Sequence, residues 1–472
     1  MTTVIIVVNL ARNPVVSSPV DTVKSIKKGG DGQAANMILL CRGVLNTPKN
    51  VGWALPIESK KRRERMKKIS ALAVAGVFVA SLAGTAFAEG TDVKVSGEIR
   101  IRDEWKNNYS DFNKDAGDQY NAITQRTRVN VDAKIDEKTK AYVSLENNRN
   151  FGSSGPAFAN TAGDSVGIYQ AYVVLDKLFD QPLMFKAGRT KISLGAQRLA
   201  GANDWGPGQT FDSLILGYNV DAVSVTGFAL TGVDRNGTTT SENGTLNGIY
   251  ATVKSIPVTG IDVYAIQKSD IASLGESFFT YGARVNGTAM NIDWDVEAAL
   301  QSGDHATSIK KEASAVWLLA GYSLPEVAKL RIGAEYDMLT GDKSSSADKN
   351  EGFDQLYYTK HSTSTQHSVY GVTDYIEGVG FGLKALSVNV SAEPVDGLKL
   401  LAEYWSFDSN TGNDDKTIGN EINVQTWYAV SKNTNLHAYY AMFTPSSDYA
   451  DFVSGGKKDA ATDLVLQLQV AF

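Results

Sequence analysis

Strict alternation of apolar and polar residues is the property of this sequence that most limits its fold. Between Val93 and Arg102, valine, glycine and isoleucine alternate with lysine, serine, glutamate and arginine. Similar runs recur at 123–135, 140–148, 261–266, 292–298 and 330–338. Successive side chains of a β-strand point to opposite faces, so each run predicts a strand with one apolar and one polar face. Such strands fit either a soluble sandwich with the apolar face inside or a barrel in lipid with the apolar face outside.

The lengths of the connectors between these runs favour the barrel. Short turns are expected near 136–139, 177–182, 219–222, 256–260, 286–289, 323–328, 393–397 and 431–435. Long polar segments are expected near 107–119, 151–164, 191–208, 233–246, 269–276, 302–310, 340–380, 409–419 and 444–459. The two kinds alternate strictly, as in bacterial outer-membrane barrels, which have short periplasmic turns and long extracellular loops. The sequence therefore predicts an all-β fold, a transmembrane up-and-down antiparallel β-barrel of about 18 strands.

Residues 66–88 have the three parts of a secretory signal peptide. Lys67 and Lys68 form a positive n-region, residues 69–80 are apolar, and residues 86–88 (AFA) offer a small-x-small cleavage site. No cysteine follows that site, so a lipoprotein anchor is excluded. Together with the strand pattern, this signal predicts a location in the cell outer membrane of a Gram-negative bacterium.

Residues 1–65 precede the signal, although a signal peptide normally begins at the initiator. We interpret them as an unstructured upstream extension from a misassigned start codon, and a genuine long n-region is the alternative. The run Arg62 to Arg65 fits translation of a purine-rich ribosome-binding site, a hypothesis that the nucleotide sequence tests. Residues 89–472 then form one barrel domain with 33 Lys and Arg against 48 Asp and Glu, a net charge of -15.

The C-terminal strand carries a specific signal. Leucine and valine at 464, 466, 468 and 470 alternate with other residues, and the chain ends on Phe472. A terminal aromatic residue that closes an amphipathic strand resembles the signal by which outer-membrane barrels are recognised by their assembly machinery. Tyrosine and tryptophan near the strand ends, including Tyr264, Tyr281, Trp405 and Tyr439, are expected to form aromatic girdles at the membrane interfaces.

If the apolar positions face lipid, the alternate positions of each strand face the lumen. Basic side chains then come from the first, second and fifth strands: Arg100, Arg102, Arg126, Arg128 and Lys186. Acidic side chains come from later strands: Asp262, Asp293, Asp295, Glu297, Glu335, Asp337 and Glu403. Opposed walls of this kind would put a transverse field across the pore and set its ion selectivity. The alternative is that the charges pair with one another and fill the barrel.

The glycine-rich segment 187–218 joins two predicted strands through a long outer loop. It contains Arg189, Arg198, Asp204, Trp205 and Asp212. A loop of this kind can fold inward and constrict a pore. Parity places Arg189 on the lipid-facing side, so either a bulge intervenes or Arg189 lies above the membrane.

Two stretches of the sequence contain distinctive motifs. The first has Gly-Arg at 188–189, Gln-Arg-Leu-x-Gly at 197–201, Asp-Trp at 204–205 and Phe-Asp at 211–212. The second, 351–375, has Phe353, Leu356, Tyr357, Thr359, Tyr370, Gly371 and Asp374. Both resemble motifs of the alginate-export family of outer-membrane porins, and the resemblance spans residues 92–472. The second stretch departs from the family motif because His361 fits only with a shift and an STSTQ run is inserted.

The resemblance implies a monomeric barrel that exports an anionic polysaccharide through an arginine-lined pore. It carries over Arg189, Arg198, Asp204 and Asp212 as pore or pore-loop residues. The solute stays open, since other charged solutes could pass through a charged lumen. A general small-solute porin with the same fold is the alternative, and a periplasmic carbohydrate-binding β-sandwich is a more distant one.

No catalytic function, metal or cofactor is expected. The four histidines, His305, His361, His367 and His437, lie in different strands or connectors, and neither G-x-S-x-G nor H-E-x-x-H occurs. His361 and His367 share one loop and could bind a metal, which is the minor alternative. The expected partners are outer-membrane lipid and lipopolysaccharide, the barrel assembly machinery, and an anionic polysaccharide or small charged solute. The acidic net charge gives no reason to expect nucleic-acid binding.

Overall fold

The computed structural model describes residues 91–152, 166–202, 204–233, 244–270, 275–343, 348–361, 369–373, 375–376, 382–412 and 415–472. The predicted leader and signal peptide lie outside these residues, as do His367 and Asp374.

Nearly all of the described chain is β-strand. The first ten strands are β1 (Asp92–Asn107), β2 (Gln119–Lys134), β3 (Thr139–Asn150), β4 (Gly167–Leu175), β5 (Leu183–Thr190), β6 (Thr210–Asn219), β7 (Val223–Val233), β8 (Thr245–Val253), β9 (Thr259–Asp270) and β10 (Glu276–Ala289). The others are β11 (Ile292–Ala306), β12 (Ile309–Leu324), β13 (Leu330–Leu339), β14 (Lys349–Asn350), β15 (Leu383–Val395), β16 (Leu398–Asp408), β17 (Thr417–Ser431), β18 (Thr434–Pro445) and β19 (Ala461–Ala471).

The strands form one closed sheet. Each long strand pairs antiparallel with its neighbours in chain order, and β1 pairs with both β2 and β19. The two-residue β14 adds to β12 in parallel, while β13 pairs directly with β15, so the wall is a closed barrel of 18 antiparallel strands. This confirms the predicted fold. A single closed sheet also removes the sandwich alternative, which requires two sheets packed face to face.

The apolar face of the sheet is its outer face. Leu214, Ile249 and Leu300 are 57%, 58% and 63% exposed, whereas the lumen-facing Arg100 and Glu335 are 4% and 5% exposed. A soluble protein would bury the first group and expose the second. The girdle prediction is wrong for Tyr264, Trp405 and Tyr439, which are buried inside the barrel because their parity turns them inward, while Tyr281 is exposed.

The connectors separate by length between the two ends of the barrel, which we call the turn end and the loop end. Seven of the eight predicted short turns lie at or near the predicted positions at the turn end, where one contains a 3₁₀ turn, Leu178–Asp180. The turn expected at 286–289 is instead at 290–291, because β10 continues to Ala289. At the loop end, the expected long segment at 302–310 is wrong. β11 continues to Ala306 and β12 begins at Ile309, so only two residues connect them.

The loop-end connector between β18 and β19 contains the helix α1 (Ser447–Ser454). The Ser446 hydroxyl accepts a hydrogen bond from the Tyr449 N–H at 3.1 Å, which caps the helix N-terminus. Gly455 ends the helix in a left-handed conformation, φ 64°. Within the described chain, no helix is both long and apolar enough to cross a membrane.

The seam between β1 and β19 is packed by the terminal residue. The Phe472 N–H donates to the Gly97 carbonyl at 3.0 Å, and the Gly97 N–H donates to the Phe472 carbonyl at 2.8 Å. The Phe472 ring lies over Gly97, so that a Cβ at this glycine would be only 2.5 Å from the ring and 2.6 Å from the Arg128 carbonyl oxygen. A side chain at position 97 would therefore separate the strands that close the barrel.

We expect Gly97→Ala to destabilise the barrel by about 1–3 kcal/mol, because overpacking against backbone cannot relax by a rotamer change. Urea unfolding of refolded protein in detergent measures this. Gly227→Ala is the matched control, since the nearest atom to a Cβ at that strand glycine is a carbonyl oxygen 3.9 Å away. Equal midpoints for the two variants would contradict the packing at the seam.

Candidate pore constriction

The connector between β5 and β6, described at 191–202 and 204–209, folds into the barrel. Its Leu199 and Ala200 are buried, at 4% and 0% exposure, among side chains from the inner wall. Asp204 reaches the arginines of β1 and β2, while Arg198 reaches the carboxylates of β11 and β13. The connector therefore contacts two walls and narrows the lumen between them.

Asp204 binds a cluster of arginines on β1 and β2, which form the first of the two walls. Its carboxylate accepts from Arg126 Nη1 at 3.1 Å and from Arg128 Nη1 at 3.0 Å. Arg100 Nη1 donates to the Asp204 carbonyl oxygen at 3.1 Å, and Arg100 Nη2 donates to that of Gly206 at 3.3 Å. One turn of loop is thus held by three guanidinium groups.

The ionisation of Asp204 follows from these contacts. Burial alone would raise the pKa of the carboxyl group. The Arg126 and Arg128 guanidinium groups outweigh that effect and hold the pKa of Asp204 well below its usual range. Asp204 is therefore a carboxylate at any pH that the cell surface meets, and its contacts with Arg126 and Arg128 are charge-assisted.

Two carboxylates that sequence analysis did not assign also belong to this wall. Arg126 Nε donates to Glu98 Oε1 at 2.8 Å, and Arg128 Nε donates to Glu146 Oε2 at 2.6 Å. Glu98 has the same strand parity as Arg100, so the alternation rule that selected the arginines contained the signal for it. Much of the charge on Arg126 and Arg128 is consequently balanced locally.

Arg100 and Arg102 differ from their neighbours. Among the residues that the structure describes, no carboxylate oxygen lies within 4.0 Å of either guanidinium group. Arg102 donates from Nε and Nη2 to Gln467 Oε1 at 3.1 and 2.9 Å. Both arginines are buried, with 4% and 3% exposure, and keep their positive charge inside the barrel.

These two arginines line a cavity of about 330 Å³, which we call the arginine cavity. Trp205, from the inserted connector, lies between the Arg102 guanidinium carbon, 3.4 Å from its ring centroid, and the His361 ring, 4.4 Å away and stacked. Trp427 stacks on His437 at 4.7 Å, and the His437 ring lies 6.3 Å from that of Trp205, edge to face. The other lining residues are Arg126, Asp204, Thr359, Val372, Gln425, Tyr439, Gln467 and Gln469. The cavity combines cationic, amide and aromatic groups, which suits a polar ring bearing negative charge.

Arg198 contacts the second wall, the acidic wall, which is formed by β11 and β13. Its Nη1 lies 3.2 Å from Asp295 Oδ1 and its Nη2 lies 3.1 Å from Glu335 Oε1. Burial alone would lower the pKa of the Arg198 guanidinium, but Glu335, Asp337 and Asp295 together raise it. Arg198 therefore stays charged and ties the connector to the acidic wall.

The long connector between β13 and β15 also enters the barrel and pairs with the first. The Tyr357 N–H donates to the Leu199 carbonyl at 2.9 Å, and the Gly201 N–H donates to the Tyr357 carbonyl at 2.8 Å. The Thr359 N–H donates to the Gln197 carbonyl at 3.0 Å. The two segments that resemble family motifs in the sequence therefore pack against each other in space.

Wall residues hold this second connector at several points. Lys268 Nζ lies 2.5 Å from Asp354 Oδ2, and Lys311 Nζ donates to Asn350 Oδ1 at 2.8 Å. Trp317 Nε1 donates to the Tyr370 hydroxyl at 2.9 Å. Burial chiefly raises the pKa of Asp354, yet Lys268 outweighs it and lowers the pKa. The connector is thus fixed by a charged contact at one end and by aromatic packing at the other.

The structure corrects the placement of Arg189 and Asp212, which we predicted as pore residues. They face each other across β5 and β6 on the outer face, and Arg189 Nε and Nη2 donate to Asp212 Oδ1 and Oδ2 at 2.8 and 3.0 Å. Asp212 has the parity of the exposed Leu214 and Leu216. Strand parity correctly predicts that the Arg189 side chain lies on the outer face. The motif match does not indicate which face of the sheet a residue occupies.

The other predicted lumen residues lie on the inner wall in varied pairings. Lys186 Nζ is 4.4 Å from the Tyr172 ring centroid, and Asp293 Oδ1 accepts from Arg331 Nε at 2.9 Å. Glu403 is 3% exposed and accepts from Gln425 Nε2 at 3.4 Å. Sequence analysis missed Arg284 and Arg331 on the acidic side, although Arg331 shares the parity of Glu335. The walls are therefore mixed, and many of the charges pair with one another.

Three of the four histidines lie within the described residues. His361 and His437 stack on Trp205 and Trp427, and His305 Nδ1 is 3.2 Å from Glu276 Oε1. In this part of the chain, no group of three His, Cys, Asp or Glu residues is arranged to hold a metal ion.

Comparison with known proteins identifies the family. The sequence model described as alginate export matches residues 92–444. The chain belongs to the alginate export family. The match covers both connectors that meet in the lumen, and no curated protein sequence matches this chain significantly. The family and the fold are those of outer-membrane channels.

Solved structures share the fold of this family member at low sequence identity. Pseudomonas aeruginosa OccK8 (OprE) aligns with a TM-score of 0.56 and 15% identity over 82% of this chain and 99% of that one. Acinetobacter baumannii OccAB1 gives 0.56 and 14% over 82% and 98%. Pseudomonas aeruginosa OpdO gives 0.57 and 14% over 81% and 97%. At these identities the likeness concerns the barrel and not the solute.

Proposed function

We propose that this protein is a passive outer-membrane channel whose constriction selects anionic, carboxylate-bearing solutes. The observation that carries the proposal is the arginine cavity. Arg100 and Arg102 line it, and in the described chain neither has a carboxylate within 4.0 Å. A guanidinium group presents several donors that match carboxylate geometry, and it is strongest where water is scarce.

The local charge matters more here than the net charge. Residues 89–472 carry a net charge of -15, which would repel a polyanion at long range. Screening limits that repulsion to about 8 Å at physiological salt, whereas the two arginines act at contact distance. A solute that reaches the constriction therefore experiences the arginines first.

The family description suggests an anionic polysaccharide as the solute. The carboxylates carried by successive uronate units of an extended chain would pass the arginines one after another. Passage of a polymer requires the paired connectors to move aside, because Asp204 and Arg198 tie them to both walls.

A small charged solute is the second candidate, and the size of the free space favours it. The arginine cavity measures about 330 Å³, which holds one sugar ring or a similar small molecule with the connectors in place. We expect such a solute to cross with the connectors in place.

The selectivity test uses the double variant Arg100→Gln, Arg102→Gln. In a planar bilayer under a KCl gradient, we expect wild type to favour chloride and the double variant to lose most of that preference, since both unpaired cations are gone. Arg189→Gln is the matched control, because its arginine is on the outer face, and its reversal potential should equal that of wild type. An unchanged reversal potential in the double variant would remove the arginine route.

Flux into liposomes separates the two solutes. Glucuronate should enter liposomes that contain the wild-type channel whether or not the two connectors move. An oligomer of uronate units should enter only if the connectors move out of the lumen. Exclusion of the oligomer together with entry of the monomer would favour the small-solute channel over polysaccharide passage.

The proposal also includes outer-membrane lipid, lipopolysaccharide and the barrel assembly machinery as partners, and a monomeric state.

A further inference from the structure

The arginine cavity lies in the half of the barrel that is closer to the turn end. Trp427 and His437, which line it, are cross-strand partners on β17 and β18. The last pair of this ladder before the turn is Ser431 with Thr434, so neither ring is more than four residues from the turn. At the rise of a strand, that distance is at most about 13 Å. Gln469, another lining residue, is on β19 three positions before the end of the chain.

On three neighbouring strands, the inward-facing side chains become less accessible from the turn end to the loop end. On β18, His437 is partly exposed and Tyr439 is buried, while Ala441 and Phe443 are 0% exposed. The same order, from partly exposed to buried, holds on β17 for Trp427, Asn423 and Glu421 and on β19 for Gln467, Val465 and Asp463. Along these strands the cavity is therefore accessible from the turn end, and packed side chains fill the barrel toward the loop end.

Aromatic side chains from the loop-end connectors form part of this packing. The Phe443 ring centroid lies 5.0 Å from that of Tyr375 and 5.7 Å from that of Phe112. Tyr449, from α1, lies 6.1 Å from Phe443 and 5.9 Å from Phe112. We call these four residues the aromatic cover. Rings in contact at such distances are packed as densely as a protein core, so a solute does not pass between them without moving them.

A hydrogen-bonded carboxylate fixes the second connector above β17. The Val372 N–H donates to Glu421 Oε1 at 2.7 Å, and the Thr373 hydroxyl donates to Glu421 Oε2. Gly371, at φ 82°, approaches the same group so closely that a Cβ there would be 2.3 Å from Oε1. Since Val372 lines the arginine cavity, this connector forms the side of the cavity that faces the loop end.

We infer that the arginine cavity binds anions that arrive from the turn end, which is the periplasmic end of an outer-membrane barrel. This inference rests on the proposed function and adds the side from which the solute reaches the arginines. An anion from the periplasm passes Gln469 and Trp427 and then meets Arg100 and Arg102. An anion from the loop end first has to pass the connectors and the aromatic cover, so its association with the cavity is slower.

Blockade of the single-channel KCl current by glucuronate measures association from each end. Residues 89–472 contain no cysteine, so Lys432→Cys, in the exposed turn between β17 and β18, gives one thiol for a biotin label. Streptavidin then identifies the chamber that the turn end faces. With equal voltages that drive the anion inward, we expect the association rate from the turn end to be at least about tenfold higher, because binding that requires a rearrangement is slower. The double variant Arg100→Gln, Arg102→Gln should lose the blockade from both ends.

A second variant tests the physical cause of the difference. Phe443→Ala removes one ring from the aromatic cover, so the association rate from the loop end should rise while that from the turn end stays the same. Phe228→Ala is the matched control, since Phe228 is also a buried inward-facing aromatic residue but lies on β7. Phe443→Leu replaces Phe443→Ala if that variant does not assemble, and heat-modifiable migration on gels shows which variants are folded.

Equal association rates from the two ends of the wild-type channel, or a faster rate from the loop end, would overturn the inference. An absence of blockade from both ends would also overturn it, because the cavity would then hold no anion. An unchanged loop-end rate in a folded Phe443 variant would overturn the aromatic cover as the barrier. The chloride preference is measured separately, by the reversal potential, and it can persist in each of these cases, so the failure of this inference is distinguishable from the failure of the proposed function.

Discussion

Replacing Asp204 by Asn is expected to increase the single-channel conductance several-fold. Asp204 accepts from Arg126 and Arg128 at 3.1 and 3.0 Å, and Asn offers one neutral oxygen in place of two charged ones. Hydrogen bonds to charged groups contribute about 1.5–3 kcal/mol. A loss of that size raises the ratio of undocked to docked connector by about 10- to 100-fold. The undocked connector no longer narrows the lumen, and two arginines lose a counter-ion.

Asp212→Asn is the control for this variant. Asp212 lies eight residues further along the chain but on the outer face, where it pairs with Arg189. The conductance of the Asp212→Asn channel should therefore equal that of wild type. Equal conductance of Asp204→Asn and wild type would show that the Asp204 contacts do not hold the connector in the lumen.

Acidification gives a second measurement of the same contact. Because the pKa of Asp204 is held below its unfolded value, the contact stabilises the docked connector above the ordinary carboxyl pKa and is lost as the pH falls through the depressed one. Wild-type conductance should therefore stay constant from neutral pH to about pH 4, the ordinary range for aspartate.

Deleting Phe472 is expected to reduce the amount of folded barrel in the outer membrane at least tenfold. The ring covers the seam between β1 and β19 over Gly97, and the residue's backbone makes two hydrogen bonds to Gly97. The side chain is 57% exposed on the outer face, where the assembly machinery could reach it. Deletion removes both the last contacts of the closing strands and the proposed recognition signal.

Phe279→Ala is the control, since Phe279 is a lipid-facing aromatic residue, 40% exposed, on a strand far from the seam. Quantitative blotting of outer-membrane fractions measures both variants. Refolding of purified chains in detergent then separates the two roles of Phe472. Normal refolding with poor assembly in cells indicates recognition, and poor refolding indicates closure of the seam. Normal assembly in cells would contradict both.

The ion pairs inside the barrel show which lumenal charges are balanced by a neighbour. The sequence suggested one basic wall and one acidic wall, with mutual pairing of the charges as the alternative. The structure contains elements of both, since Arg126 and Arg128 are paired with Glu98 and Glu146 while Arg100 and Arg102 lack a carboxylate partner in the described chain. Selectivity should therefore depend on a few unpaired groups and not on the sum of wall charges.

The sequence by itself determined the barrel. A period of two fixes which residues share a face, and the alternation of short and long connectors fixes the strand number and the two ends, since both depend only on neighbours along the chain. It also placed Arg100, Arg126 and Glu335 correctly on the inner wall. Where it went wrong, at 302–310, the polarity of the residues did not separate a loop from strands that extend past the membrane.

Only the tertiary structure decided which of the inner groups meet. Asp204 and Arg126 are 78 residues apart in sequence, and Ala200 and Tyr357 come from different connectors. Their proximity depends on how two long loops fold inside a closed sheet, and no local period encodes that. The same limit applies to Arg189, whose motif match suggested the pore, whereas its position on the wall turned it toward the outside.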